Sequence, residues 1–218
     1  MNGRVVFWDW NGTLLDDVQY AIGVRNRVFP RFGLPQIASV EAYHEQFTFP
    51  VKRYYERAGV TEEMFSAVAN AWMDEYVAGC GAVPLFADAL AALDAFQENG
   101  YQQVVLSASM REHLCAQLQN AGILHRFNDV LGLSHIYATD KTEIARDWLA
   151  RNSCPPERCV IVGDTVHDAL VAQALQTDCV LVARGHMSAR QLMQTGCAVF
   201  PTLADAVQAV LGRKAEGG

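Results

Sequence analysis

No apolar run in this chain of 218 residues approaches the ~20 that a membrane-spanning helix needs. Basic runs are also absent. Lys plus Arg number 17 against 24 Asp plus Glu, a net charge of −7, which argues against nucleic-acid or acidic-membrane partners. The six cysteines form no CxxC pair, and no His or Cys couple sits at zinc spacing, so a zinc module has no support. Several of them lie in apolar runs, as Cys159 does beside Val160-Ile161-Val162, where a free thiol behaves as a small hydrophobe. Buried free thiols in a reducing compartment are therefore expected. The start runs straight into Val5-Val6-Phe7-Trp8, without the basic, apolar and small-residue order of a signal peptide. Repeats and low-complexity segments are lacking. These absences together read as a cytoplasmic protein, with oligomeric state left open.

What is present is an ordinary globular composition, 51% hydrophobic and 19% charged. Short apolar runs at Arg4–Trp8, Gln103–Leu106, Cys159–Val162 and Asp178–Val182 read as strands buried on both faces, as in a parallel sheet. Helical spacing fills the intervals: Leu90, Leu93 and Phe96 before Asn99-Gly100; Leu114 and Leu118 before Gly122; Ile144, Trp148 and Leu149 after Lys141; Leu170 and Leu175 after Asp164. Strand–helix alternation of this kind predicts an α/β fold with a doubly wound parallel sheet. Residues 16–81 break the alternation. They hold only helical patterns, the clearest starting at the N-cap Thr61 with Phe65, Val68, Trp72 and Tyr76 on one stripe. The expected organisation is an α/β core of residues 1–15 and 82–218, with an all-helical insertion at 16–81 above the strand ends where open sheets bind ligands. The tail Ala215–Gly218 is expected to fray.

Polar residues stand at or just past the strand ends: Asp9, Ser107, Lys141 and the pair Asp164/Asp168. Each alone has a plain reading as cap, turn or surface residue. Parallel strands, however, bring their C-terminal ends to one edge, and carboxylates crowded there repel unless a cation holds them. A few hard oxygen ligands of this kind suit Mg²⁺. A lysine and a hydroxyl alongside suit a transferred phosphoryl group.

The order Asp9-Trp10-Asn11-Gly12-Thr13-Leu14-Leu15, then Ser107, then Lys141, then Gly163-Asp164-Thr165-Val166-His167-Asp168, resembles the four-motif signature of the haloacid dehalogenase-like (HAD) hydrolases. The likeness extends over essentially the whole chain, and the helical block resembles that family's C1-type cap, as in the phosphoglycolate phosphatase branch. The resemblance implies a Rossmann-like core and a Mg²⁺-dependent phosphohydrolase acting on a small phosphorylated metabolite through an aspartyl-phosphate. It implies Asp9 as nucleophile. Mg²⁺ would be held by Asp9, the backbone carbonyl of Asn11, Asp164 and Asp168. Phosphate would be held by Ser107, the Ala108 amide and Lys141, with Gly12 and Thr13 shaping the loop. In the cap, Lys52 and Arg53 would recognise substrate.

One position departs from the pattern. Most family phosphatases have Asp two residues after the nucleophile, as the acid that protonates the leaving group and then activates water. Here Asn11 keeps the backbone carbonyl but cannot transfer a proton at neutral pH. General acid–base help is worth about 10²–10⁴ in rate, roughly 3–5 kcal/mol of barrier. Efficient hydrolysis of ordinary alkyl phosphates is therefore in doubt, while phosphoryl binding is not. Three alternatives follow: C–P bond cleavage like that of phosphonoacetaldehyde hydrolases, with Lys52 as Schiff base; a weakly active phosphate-binding module; and dehalogenation, which the two carboxylates of the fourth motif disfavour.

Overall fold

The computed structural model describes residues 3–133 and 141–212. The Ala215–Gly218 tail lies outside the described residues. Six parallel strands form one sheet in the order β3-β2-β1-β4-β5-β6: β1 Val5–Trp8, β2 Gln102–Met110, β3 Asp129–Leu133, β4 Cys159–Gly163, β5 Asp178–Val182 and β6 Ala198–Phe200. The alternation of side chains along each strand divides the core into two layers. Val6, Trp8, Val105, Val160 and Val180 meet α5 (Ala89–Glu98), α6 (Arg111–Asn120) and α10 (Leu203–Gly212). Val5, Phe7, Val104, Leu131 and Ile161 meet α7 (Thr142–Arg151) and α8 (Val166–Leu175) on the other face. Coverage on both faces is why the central strands read as continuous apolar runs. Within the helices, Leu90 and Leu170 are exposed, and Ala89, Ala92, Val171 and Ala172 take the buried positions that helical spacing suggested for them.

Two strands escape the sequence pattern. The edge strand β3, Asp-Val-Leu-Gly-Leu, carries an acid and a glycine, and β6 is three residues long, so neither presents an apolar run. Strand β2 extends past Ser107 to Met110, with a register shift between Leu106 and Met110. A short α9 (Ala189–Met193) follows β5. All six cysteines are free thiols; Cys80, Cys154 and Cys159 are buried, and Cys115, Cys179 and Cys197 are half-buried. No helix among the described residues is long and apolar enough to cross a membrane.

Between β1 and α5 lies a bundle of α1 (Val18–Val28), α2 (Val40–Gln46), α3 (Val51–Arg57) and α4 (Glu62–Gly79). Thr61 caps α4 by accepting from the Met64 amide. The bundle has its own apolar centre of Val24, Val28, Phe29, Tyr54, Tyr55 and Val68. Its two connections to the sheet run side by side: Leu15 bridges Leu85, Asp16 N donates to Pro84 O (3.0 Å) and Phe86 N to Leu14 O (3.0 Å).

Candidate active site

Strand register brings the polar residues together. Trp8 pairs with Val105 on one side and Val162 on the other, so Asp9, Ser107 and Asp164 emerge at the same edge within a step or two. The sheet order also reverses direction at β1/β4, the point where open α/β sheets leave a crevice. Asp9, Asp164 and Asp168 are all buried, and each offers an oxygen within 4.8 Å of the others. Lys141, at the start of α7, reaches Asp9 Oδ1 and Asp168 Oδ1, each at 2.6 Å, and donates to Leu106 O at 3.2 Å. Thr13 Oγ1 and the His186 amide hold Asp164, at 3.0 and 2.6 Å. The Thr165 amide and hydroxyl hold Asp168 Oδ2 in a capping box at the start of α8.

The electrostatics follow from crowding and burial. Burial pushes the Asp9 carboxyl well above the usual carboxylate range; Lys141 opposes this, and Asp168 and Asp164 add to it. Burial lifts Asp164 to about 6, with the His186 charge pulling the other way. Asp168 ends below its ordinary value because Lys141 and Thr165 outweigh its burial. For Lys141, burial acts downward, yet the two carboxylates hold it above the usual lysine range. Three hard oxygen donors with a deficit of positive charge fit a divalent cation of the Mg²⁺ type.

The loop after β1 is committed to the protein. Gly12 has φ +72°, and a Cβ there would collide with the Asp164 carboxylate and come within 2.8 Å of the His186 ring. Its amide donates to Asp17 Oδ1 at 2.8 Å, and the Thr13 hydroxyl is spent on Asp164. Neither lines the cavity above Asp9, which Asn11, Ser107, Ala108, Lys141 and Lys52 do line. Lys52 is exposed and ion-paired with Glu62 at 2.6 Å. Arg53, exposed on α3, is not part of the cavity wall.

Asn11 carries a network that sequence reading missed. Its amide nitrogen donates to Asp17 Oδ2 (2.8 Å) and to the Tyr76 hydroxyl (2.7 Å), and its oxygen accepts from Ser109 Oγ (2.9 Å). Tyr76 donates in turn to Asp17 Oδ2 at 2.8 Å, and Asp17 Oδ1 faces His186 Nε2 at 3.1 Å. His186 Nδ1 meets the Tyr43 hydroxyl at 2.8 Å. Burial alone would raise Asp17, but His186 and the donors around it hold it below the usual carboxylate range. Burial would lower His186, but Asp17 and Asp164 raise it to about 9. The pair is therefore an ion pair joining the inserted helices to the loop after β5. A signal existed: His186 stands just past the end of the fourth apolar run, the placement that singled out Asp9, Ser107 and Asp164. Asp17 closes an acidic pair, Asp16-Asp17, at the head of α1.

A parallel Rossmann-like sheet whose strand ends gather three carboxylates, a lysine and a serine has the form of a phosphatase-type hydrolase. Residues 6–182 match the model of the haloacid dehalogenase-like hydrolases, and the chain belongs to that family. A search of curated proteins found no match. Similar solved structures include a predicted phosphatase from Clostridium acetobutylicum (16% identity, TM-score 0.85, covering 96% of this chain and 99% of that one). A predicted phosphoglycolate phosphatase from Haemophilus somnus is 19% identical, with TM-score 0.80 and coverage of 96% and 99%. CbbY from Rhodobacter sphaeroides, solved with xylulose-(1,5)bisphosphate, is 17% identical, with TM-score 0.73 and coverage of 92% and 95%. At these identities the likeness is one of fold.

Proposed function

We propose that this chain is a Mg²⁺-dependent phosphohydrolase of a small phosphorylated metabolite, working in the cytoplasm, with residues 16–81 serving as a cap on a core of 1–15 and 82–218. The observation that carries the reading is the Asp9–Lys141–Asp168 bridge, two 2.6 Å contacts joining the end of β1 to the first turn of α8 beside Asp164. Asp9 is the nucleophile: Lys141 holds Oδ1, and Oδ2 attacks phosphorus to give an aspartyl-phosphate that water then cleaves. Bound Mg²⁺, held by Asp9, the Asn11 carbonyl, Asp164 and Asp168, supplies charge neutralisation. Ser107 Oγ and the Ala108 amide hydrogen-bond the phosphoryl oxygens, and Lys141 balances their charge.

Asn11 provides no proton, so the leaving oxygen departs with its own charge. Acyl and aryl phosphates tolerate that, and simple alkyl esters do not. The reading is tested by phosphate release from acetyl phosphate with and without Mg²⁺, and by Asp9→Asn. Release that survives chelation or that substitution overturns it. The fully engaged Asn11 also supports a second reading, a phosphate-binding module with little turnover. That reading predicts stabilisation by phosphate and its transition-state mimics with no release from acetyl phosphate. The ion pair between Lys52 and Glu62 gives the Schiff-base alternative no support, since an amine poised for that chemistry is a depressed one, and Glu62 raises this one.

A further inference from the structure

The cavity above Asp9 has a volume of about 370 Å³. Its upper wall is aromatic and apolar: Phe47 and Phe49 from the α2–α3 connection, Tyr55, Phe65, Trp72 and Met73 from α3 and α4, with Met110 from β2 opposite. The rings brace one another. Phe47 meets Phe49 edge-on at 5.5 Å, Tyr55 meets Phe65 edge-on at 5.4 Å, and Trp72 stacks on Tyr76 at 4.9 Å and 18°. The tyrosine hydroxyls nearest the phosphoryl end are already used, Tyr43 by His186 and Tyr76 by Asp17.

Positive charge is scarce in the upper cavity. No arginine is among its described lining residues; the basic side chains there are Lys52, His113, His167 and His186, with Lys141 at the phosphoryl end. Lys52 is neutralised by Glu62, and His186 by Asp17. Arg25, the buried cation of the bundle, lies over the Phe29 ring at 4.5 Å and outside the cavity. A substrate with a carboxylate or second phosphate at its far end would meet no arginine and no unpaired lysine there, and would be desolvated at a cost. Asn11 independently demands a weakly basic leaving group.

We propose, resting on the phosphohydrolase reading, that the substrate is the phosphate monoester of an apolar aromatic alcohol of one or two rings, with no second anionic group. Asp9 forms its bond to phosphorus as the P–O bond to the aryl group breaks. The electron pair leaves on the phenoxide, which takes a proton from solvent. Water then releases inorganic phosphate and restores the Asp9 carboxylate, so the net change is one water consumed for one phenol and one phosphate. Aromatic packing against Trp72 and Phe65 supplies binding that a sugar or a short carboxylic acid cannot obtain.

The test compares kcat/KM at pH 8 with Mg²⁺ for phenyl, 2-naphthyl and 4-carboxyphenyl phosphates, whose leaving groups have similar basicity. Acetyl phosphate, which needs neither an acid nor an apolar group, controls for turnover. The expected order is 2-naphthyl about tenfold above phenyl, from the added buried apolar area, and 4-carboxyphenyl at least about tenfold below it. Trp72→Ala narrows the naphthyl-to-phenyl ratio. Equal or better turnover of 4-carboxyphenyl phosphate, or of glucose 6-phosphate, overturns the proposal while leaving the phosphohydrolase reading intact. If acetyl phosphate is not cleaved, that reading has failed and binding decides the substrate class. Calorimetric titration should then show 2-naphthylmethylphosphonate binding at least about tenfold tighter than methylphosphonate, and equal affinities overturn the proposal.

Discussion

Restoring the missing acid by Asn11→Asp should fail on its own, because of where the new carboxylate would stand. The Asn11 amide nitrogen lies 2.8 Å from Asp17 Oδ2. Replacing that donor with a carboxylate oxygen sets two buried carboxylates against each other, and such pairs keep one proton with a strongly raised pKa. A rise of about three units corresponds to about 4 kcal/mol of lost stability at neutral pH. The sign follows from linkage. A carboxyl raised in the folded state loses stability as pH climbs above its unfolded value, so the deficit grows by about 1.4 kcal/mol per pH unit between roughly pH 4 and 7. The assay is urea unfolding in chelator at pH 5, 6, 7 and 8 for wild type, Asn11→Asp, and Asn11→Asp with Asp17→Asn. The double variant replaces one carboxylate by an amide and should recover most of the deficit. For activity, the single variant should improve alkyl phosphate hydrolysis little, because its proton is shared with Asp17. The double variant should approach the ~10²-fold gain expected of a working acid. Mass spectrometry must confirm that Asn11, which precedes Gly12, has not deamidated. Wild-type stability and an unchanged pH slope in Asn11→Asp would refute the claim that Asp17 locks this position.

Four further outcomes are expected. Asp9→Asn should keep the fold and lose turnover, read as a wild-type-like unfolding curve without phosphate release. Asp164→Ala should weaken Mg²⁺ binding more than Asp168→Ala in a calorimetric titration, because Asp168 already shares Oδ1 with charged Lys141; the reverse order would contradict that assignment. Lys52→Ala should change kcat/KM for phenyl phosphate less than about twofold, because Lys52 is paired with Glu62 and an uncharged aryl group offers it no anion to bind; a tenfold loss would show that Lys52 recognises the substrate. His186, raised to about 9 by Asp17 and Asp164 against its burial, stabilises the fold fully below about pH 6.5. About 3 kcal/mol of that should vanish as pH rises through 9, and a His186→Gln variant with the same alkaline slope would rule this out.

Much of the fold was legible because a sheet covered on both faces forces its strands to be apolar throughout. Runs such as Val5–Trp8 and Cys159–Val162 therefore announced themselves, and the helical stripe from Thr61 marked the inserted bundle. Strands β3 and β6 were silent, one holding Asp129 and Gly132 at a sheet edge, the other too short to form a pattern. The candidate site was legible in its strand-end members for a related reason. Parallel strands share one polar edge, so Asp9, Ser107, Lys141 and Asp164 could be grouped without knowing the strand order.

The sequence by itself determined the class of fold, the grouping of polar residues at the strand ends and the presence of an amide where an acid is customary. Tertiary structure alone decided what that amide does. Asp17, Tyr76, Ser109 and His186 lie 6, 65, 98 and 175 positions from Asn11, and no periodicity links them. Only the seating of the helical bundle over the sheet turns them into a network that consumes both of its amide hydrogens. The same seating withdraws Gly12 and Thr13 into the protein and draws the aromatic rings of three helices and a loop over Asp9. Local sequence specifies a residue's own backbone and its nearest neighbours; the charge and polarity a ligand meets are set by side chains that only packing brings together.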